Sequence, residues 1–161
     1  MTDQDDGTAK VRELIKNTRI AMLTHTDAQG QLISKPMATQ DVDFAGTVYF
    51  IAERTSDQVQ DIQQRPSVNV AYAGDGAWAS LTGTARVVND EAKLEELWDT
   101  FTGAWLEGGP ENPDNILIEV TGRSAEYWDA PGGGKVTQVA NLVKAKLTGD
   151  TVTGDQGVVD L

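Results

Sequence analysis

Hydrophobic positions along this chain fall into short runs of two kinds, which predict different elements. Residues 67–73 set Val68, Val70 and Tyr72 against polar neighbours with a period of two, the spacing of a strand with one buried face. Residues 19–26 and 31–42 read as two more strands joined by a turn at Asp27-Ala28-Gln29-Gly30, so they predict a hairpin. Phe44-Ala45-Gly46 turns the chain again, and residues 47–52, rich in β-formers, supply a third strand. Gly74-Asp75-Gly76 marks a turn before a strand over 77–89, where Gly83 predicts a bend or bulge. Residues 115–120 and 123–128 read as two further strands.

Helical spacing alternates with these segments. Val11, Leu14 and Ile15 predict a short amphipathic helix over 9–16, with Asp5, Asp6 or Thr8 available as caps. Ser56 stands at the N-cap of a helix running to residue 64, with Val59 and Ile62 facing inward and Arg65-Pro66 ending it. Asn89 or Asp90 caps a helix whose apolar stripe is Leu94, Leu97, Trp98, Phe101 and Trp105. A last helix is expected over 136–146, followed by a Gly/Asp-rich, weakly patterned end over 148–161.

Six or seven mostly antiparallel strands with helices inserted between them predict a mainly β fold, a small closed or split β-barrel. A doubly wound sheet is not expected, because strands and helices do not alternate regularly. At 161 residues the chain suits a single core. Its expected organisation is an N-terminal helix over 1–18 packed on the barrel, the split-barrel domain over 19–130, and a C-terminal extension of the same domain over 131–161.

Composition narrows the function. A net charge of −12 with scattered Lys and Arg makes nucleic acid and anionic membranes poor partners. No apolar run approaches the about 18 residues of a membrane span, and the acidic start, residues 1–7, does not read as a signal peptide. The absence of cysteine excludes disulfides, thiolate metal sites and cysteine nucleophiles, and fits a cytoplasmic protein. With one histidine, His25, beside a turn, a structural zinc site is not expected either. No G-x-S-x-G elbow occurs, and Gly132-Gly133-Gly134-Lys135 lacks the first glycine and the hydroxyl of a P-loop. Asp3, Asp5 and Gly7 resemble a calcium loop only until Leu14, where a bidentate Glu belongs. Trp98, Phe101 and Trp105 read as core or interface, while Trp78 and Trp128, at strand ends, could wall a planar ligand.

Lys35 stands out. It lies mid-strand between apolar residues, and Pro36 removes a ladder donor, which implies an edge or irregular strand. The next strand leads to Ser56 at a helix start, so a cation, a hydroxyl and helix amides could grip a phosphate together.

These residues, taken in order, resemble the pyridoxamine 5'-phosphate oxidase-like split-barrel proteins, in the general stress protein branch. The resemblance rests on Ala21-Met22-Leu23-Thr24, the turn ending at Gly30, Ser34-Lys35-Pro36-Met37, and the strand from Phe50 to Ser56 and Gln58. It continues through Pro66, Val68-Asn69-Val70, Leu81-Thr82-Gly83-Thr84-Ala85, Leu97-Trp98 and Ala125-Glu126-Tyr127-Trp128-Asp129, covering about residues 10 to 130. It implies a split β-barrel homodimer with FMN at the subunit interface. Lys35 would take the role of a phosphate-binding Arg, with Pro36, Met37 and Ala38 along the flavin and Gln40 near the end of that segment. Ile51 and Ala52 would lie under the ligand, Ser56, Asp57 and Gln58 would face the phosphate, and Trp78 would approach from the next strands.

The chain departs from the family pattern at this grip. Lys replaces Arg at 35, Gln58 replaces a lysine, Ala52 replaces a threonine, and Asp57 adds a negative charge. Each charge-assisted bond contributes about 1.5–3 kcal/mol, so the resemblance implies weak FMN binding, with Arg54 as a substitute cation. The expectation is a cytoplasmic flavin-binding dimer, a low-specificity oxidoreductase linked to stress response, with no catalytic residue identified. The alternatives are a non-catalytic stress-response or binding module that has lost tight flavin, and a related cofactor, FAD or a deazaflavin, in the same cleft.

Overall fold

The computed structural model describes residues 3–40, 43–130, 144–149 and 154–161. In chain order the elements are α1 (Asp3–Asn17), β1 (Ile20–Thr26), β2 (Leu32–Ala38), β3 (Thr47–Glu53), α2 (Asp57–Gln64) and β4 (Ser67–Ala73). They continue with β5 (Ala77–Val88), α3 (Glu91–Leu97), α4 (Thr100–Gly103), β6 (Asn115–Asp129) and β7 (Asp155–Asp160). The strands form one antiparallel sheet in the order β2-β1-β4-β5-β6-β3, with β7 also on β6. β2 and β3, the two ends of that path, approach one another without laddering. The sheet therefore curls into a barrel with an open seam, the mainly β split barrel expected.

The period-two pattern explains the core. Across the ladders Leu23, Val70, Leu81, Ala125 and Val159 stand side by side, one from each of β1, β4, β5, β6 and β7, and all are buried. Fully burying a side chain of this kind contributes about 1.5–3 kcal/mol. Lys35 pairs with Leu23 and so extends this row at the seam, sharing the core-facing side of the sheet. β6 is long enough to serve three neighbours. Residues 115–121 pair with β3, residues 124–129 pair with β7, and β5 runs along the other side. The β5–β6 register shifts at Thr82/Gly83, where a Cβ on Gly83 would come within 2.4 Å of the Thr121 carbonyl oxygen. The bulge expected at Gly83 is present, and glycine is required there by close backbone approach.

Several expectations are corrected. α1 begins at Asp3, so the faint calcium loop is helix instead. β2 ends at Ala38 rather than 42; residues 41 and 42 lie outside the described residues. The helix expected through Trp105 breaks at Trp98, which is extended (φ −69°, ψ 122°), because Asp99 caps a new helix by accepting from the Thr102 N–H at 2.7 Å. Residues 115–128 are one strand, not two. The weakly patterned end contains β7. Of the expected last helix and the Gly-rich run, residues 131–143 lie outside the described residues, while 144–148 are helical.

Candidate functional site

The seam between β2 and β3 is a cavity of about 320 Å³. β2 contributes Lys35, Pro36, Met37 and Ala38, β3 contributes Ile51, Ala52 and Glu53, and the turn into α2 contributes Ser56 and Gln58. Gln40 closes one end. Ile20, Phe101, Thr102, Trp105 and Leu106 complete the lining. Nine of the eleven residues expected at a cofactor site therefore border one space. Asp57 and Trp78 do not border it. Asp57 lies in the first turn of α2, outside the lining. Trp78 pairs with Trp128 across β5 and β6 and lines a second cavity of about 370 Å³ with Leu14 and Lys10 of α1. In this chain alone it is separated from the seam.

The polar end is built by α2. Ser56 is its N-cap, and the Ser56 Oγ accepts from the Val59 N–H at 3.3 Å, so that hydroxyl oxygen is committed to the helix. Val59 and Ile62 anchor the helix in the core. Gln58, on the same turn, is only 3% exposed, and its Nε2 is buried with no hydrogen-bond partner. Lys35 makes no hydrogen bond or ion pair among the described residues. A residue with an unsatisfied buried amide donor and a half-buried cation without a counter-ion thus border one cavity, an arrangement that suits a bound anion. Glu53, at the end of β3, brings a carboxylate to the same lining.

The expected substitute cation is engaged elsewhere. Arg54 Nε donates to the Pro113 carbonyl at 3.0 Å and its Nη2 to Asn89 Oδ1 at 2.6 Å, bordering a different cavity. His25 is also withdrawn: it is 2% exposed, with Nε2 3.3 Å from Asp61 Oδ2, and it does not line the seam. Its role is structural. Among the described residues no cluster of three or more His, Asp or Glu could hold a metal ion.

The apolar wall was legible only in part. The sequence marks Phe101 and Trp105 as aromatics of a helical stripe but carries no signal for Ile20, Thr102 and Leu106, nor for Glu53 on β3. Phe101 and Trp105 meet at 6.3 Å between ring centroids, tilted by 57°. Arg19 lies 4.5 Å over Phe101, and its Nη2 pairs with Asp99 Oδ2 at 3.1 Å, tying this segment to the start of β1. The Thr102 N–H and, secondarily, the Arg19 guanidinium hold the Asp99 carboxyl below the usual carboxylate range. Trp105 is 72% exposed at the rim. A cleft whose lining combines aromatic and aliphatic side chains with a cation and an amide donor suits a planar ring system carrying a phosphate.

Comparison with known proteins follows the same lines. The sequence model of the family described as "Pyridoxamine 5'-phosphate oxidase like" matches residues 6–153. A solved structure from Jannaschia sp. CCS1, provisionally named general stress protein 26, is 30% identical with a TM-score of 0.79, covering 98% of this chain and 99% of that one. The general stress FMN/FAD binding protein from Xanthomonas citri is 25% identical with a TM-score of 0.67, covering 78% of this chain and 89% of that one. Protein bli-3 of Neurospora crassa is 26% identical over 149 residues, 85% of this chain and 71% of that protein.

Proposed function

The chain belongs to the pyridoxamine 5'-phosphate oxidase-like family, in its general stress protein branch, and from that premise we propose that it binds a flavin in the β2–β3 seam. The observation that carries this reading is the pairing of an uncommitted Lys35 with the buried, unpartnered Gln58 Nε2 around one cavity. The description of the Xanthomonas citri relative as FMN/FAD binding supports the same ligand class. Lys35 neutralises phosphate charge, and Gln58 donates to a phosphate oxygen. Pro36, Met37, Ala38, Ile51 and Ala52 supply the apolar bed of the ring system, with Gln40 at its end. Phe101, Trp105 and Leu106 exclude water from the wall facing it.

A bound flavin supplies two-electron redox chemistry, so the protein is read as a cytoplasmic, low-specificity oxidoreductase. Lys35 is the one cation this chain brings to the lining, and the sequence holds no basic cluster for a second phosphorylated reactant. Vitamin B6 phosphate oxidation is therefore not part of this reading. In this reading a second copy of the chain completes the site. Ile20, Met22, Pro36, Trp78 and Trp128 share the outward face of the sheet as exposed or half-exposed apolar groups, and Trp78, outside its own chain's seam, would approach the partner's. The test is the absorption spectrum of freshly purified protein, followed by titration with riboflavin, FMN and FAD. Flavin bands or micromolar binding support the reading. A colourless protein that binds none of the three leaves the binding-module alternative in its place.

A further inference from the structure

Resting on the flavin reading, we infer that the seam takes a singly charged phosphate and disfavours a doubly charged one, with Gln58 as the residue that sets this selectivity. A phosphomonoester such as that of FMN carries nearly two negative charges above its second pKa of about 6. A phosphodiester, as in FAD, carries one per phosphate at any working pH. The FAD diphosphate therefore carries two charges in all, but only one on the phosphate next to the ribityl chain, and one is what the seam matches at that position.

Every element around the polar end contributes to that balance. β2 brings Lys35, a single point charge without the two-pronged geometry of arginine. β3 brings Glu53, whose carboxylate opposes an anion. α2 brings Asp57 in its first turn, which works against the favourable helix dipole, and Ser56, whose hydroxyl oxygen already accepts from Val59. The remaining donor is the neutral Gln58 amide, buried and without a partner. The neighbouring basic and titratable groups are committed elsewhere. Arg54 keeps its charge but is turned to Pro113 and Asn89 at a different cavity, Arg19 pairs with Asp99, and His25 faces Asp61 in the core. One cation and one neutral donor match one negative charge. A second charge on the same phosphate would meet Glu53, with no further cation from this chain in the lining.

The experiment is equilibrium titration of the purified protein with riboflavin, FMN and FAD at pH 5.5 and pH 8.0. FMN affinity should fall by roughly fivefold to fiftyfold as pH rises, because its phosphate loses its last proton near pH 6. FAD affinity should stay within about twofold, since a diester does not titrate there. Riboflavin, without phosphate, reports any titration of the protein itself. Gln58→Lys should raise FMN affinity at pH 8.0 and flatten its pH dependence, shifting preference from FAD towards FMN. Glu53→Gln should act in the same direction and keeps the test open if lysine is not tolerated at the buried position 58. The inference is overturned if FMN affinity is constant or rises with pH while FAD binds, or if both variants leave the FMN-to-FAD ratio unchanged. Binding of none of the three at either pH overturns the flavin reading itself, a separate and recognisable outcome.

Discussion

His25 Nε2 lies 3.3 Å from Asp61 Oδ2, joining strand β1 to helix α2. The other oxygen of Asp61 accepts from Arg65 Nη2 at 2.8 Å, and Arg65 Nε returns to the Thr26 carbonyl at 3.0 Å. The helix that presents Ser56 and Gln58 is thus fastened at its far end to the first strand. Asp61→Ala should cost about 1.5–3 kcal/mol, the value of a hydrogen bond to a charged group. That is a melting temperature lower by roughly 3–12 °C for a domain of this size. Flavin affinity should fall with it. An unchanged melting curve would remove the fastening role.

Lys35→Ala tests the phosphate end directly. Losing one charge-assisted contact should weaken FMN roughly tenfold to over a hundredfold. The melting temperature should hold, because the side chain opens onto a cavity. Lys35→Arg should bind at least as well as the parent, since its planar fork suits phosphate. Lost stability with unchanged affinity would instead mean that the lysine stem only extends the core row beside Leu23.

The sheet's outward face predicts a homodimer. Met22, 39% exposed, sits between Pro36 and Ala71 on that face, with Trp78 nearby. Sedimentation equilibrium at micromolar concentration should give about twice the 17.3 kDa chain mass, and Met22→Glu should shift it towards the monomer. A parent protein that sediments as a monomer rules out the shared-site arrangement.

Tyr72 offers a stability gain. Its hydroxyl is buried without a hydrogen-bond partner, and burial pushes its pKa well above the ordinary 10.0. Tyr72→Phe should raise stability by about 1 kcal/mol by removing the unsatisfied group. The pH effect has a definite sign. The unfolded tyrosine ionises above pH 10 while the folded one stays neutral, so this group's contribution is intact below pH 10 and is lost as pH rises beyond it. Chemical denaturation at pH 8 and pH 11 should show a smaller alkaline loss in Tyr72→Phe than in the parent. Equal losses would mean that Tyr72 does not govern this limb.

Gly83→Ala should be among the costliest small substitutions. The added carbon would meet the Thr121 carbonyl oxygen at 2.4 Å, backbone that cannot rotate away. A loss of at least about 1–3 kcal/mol is expected, measured as a lower denaturation midpoint. A neutral result would show that the bulge can slip.

What the sequence revealed followed from local pattern. The β1–β2 hairpin, the N-cap at Ser56, the inward Val59 and Ile62 and the irregularity at Gly83 are each written in a few adjacent residues. β7 was not legible, because Asp155, Gln156 and Gly157 look like loop and only their partner β6 makes them a strand. The break at Trp98 was hidden because the apolar spacing runs on through Phe101 and Trp105, while the decisive signal is the capping side chain of Asp99. Among the site residues, the order of motifs located the β2 and β3 walls. Burial of Gln58 and exposure of Trp105 were not readable, since both depend on how distant segments close around the seam.

That seam has a mechanical consequence. Elsewhere, the walls of the barrel are stitched by backbone ladders that must be broken to separate them. Between β2 and β3 there is no stitching, so side-chain contacts alone hold these two strands together. On the proposed reading, a flavin lodged between them would be the rung that the protein backbone does not provide, and the loaded protein would be the stiffer of the two forms.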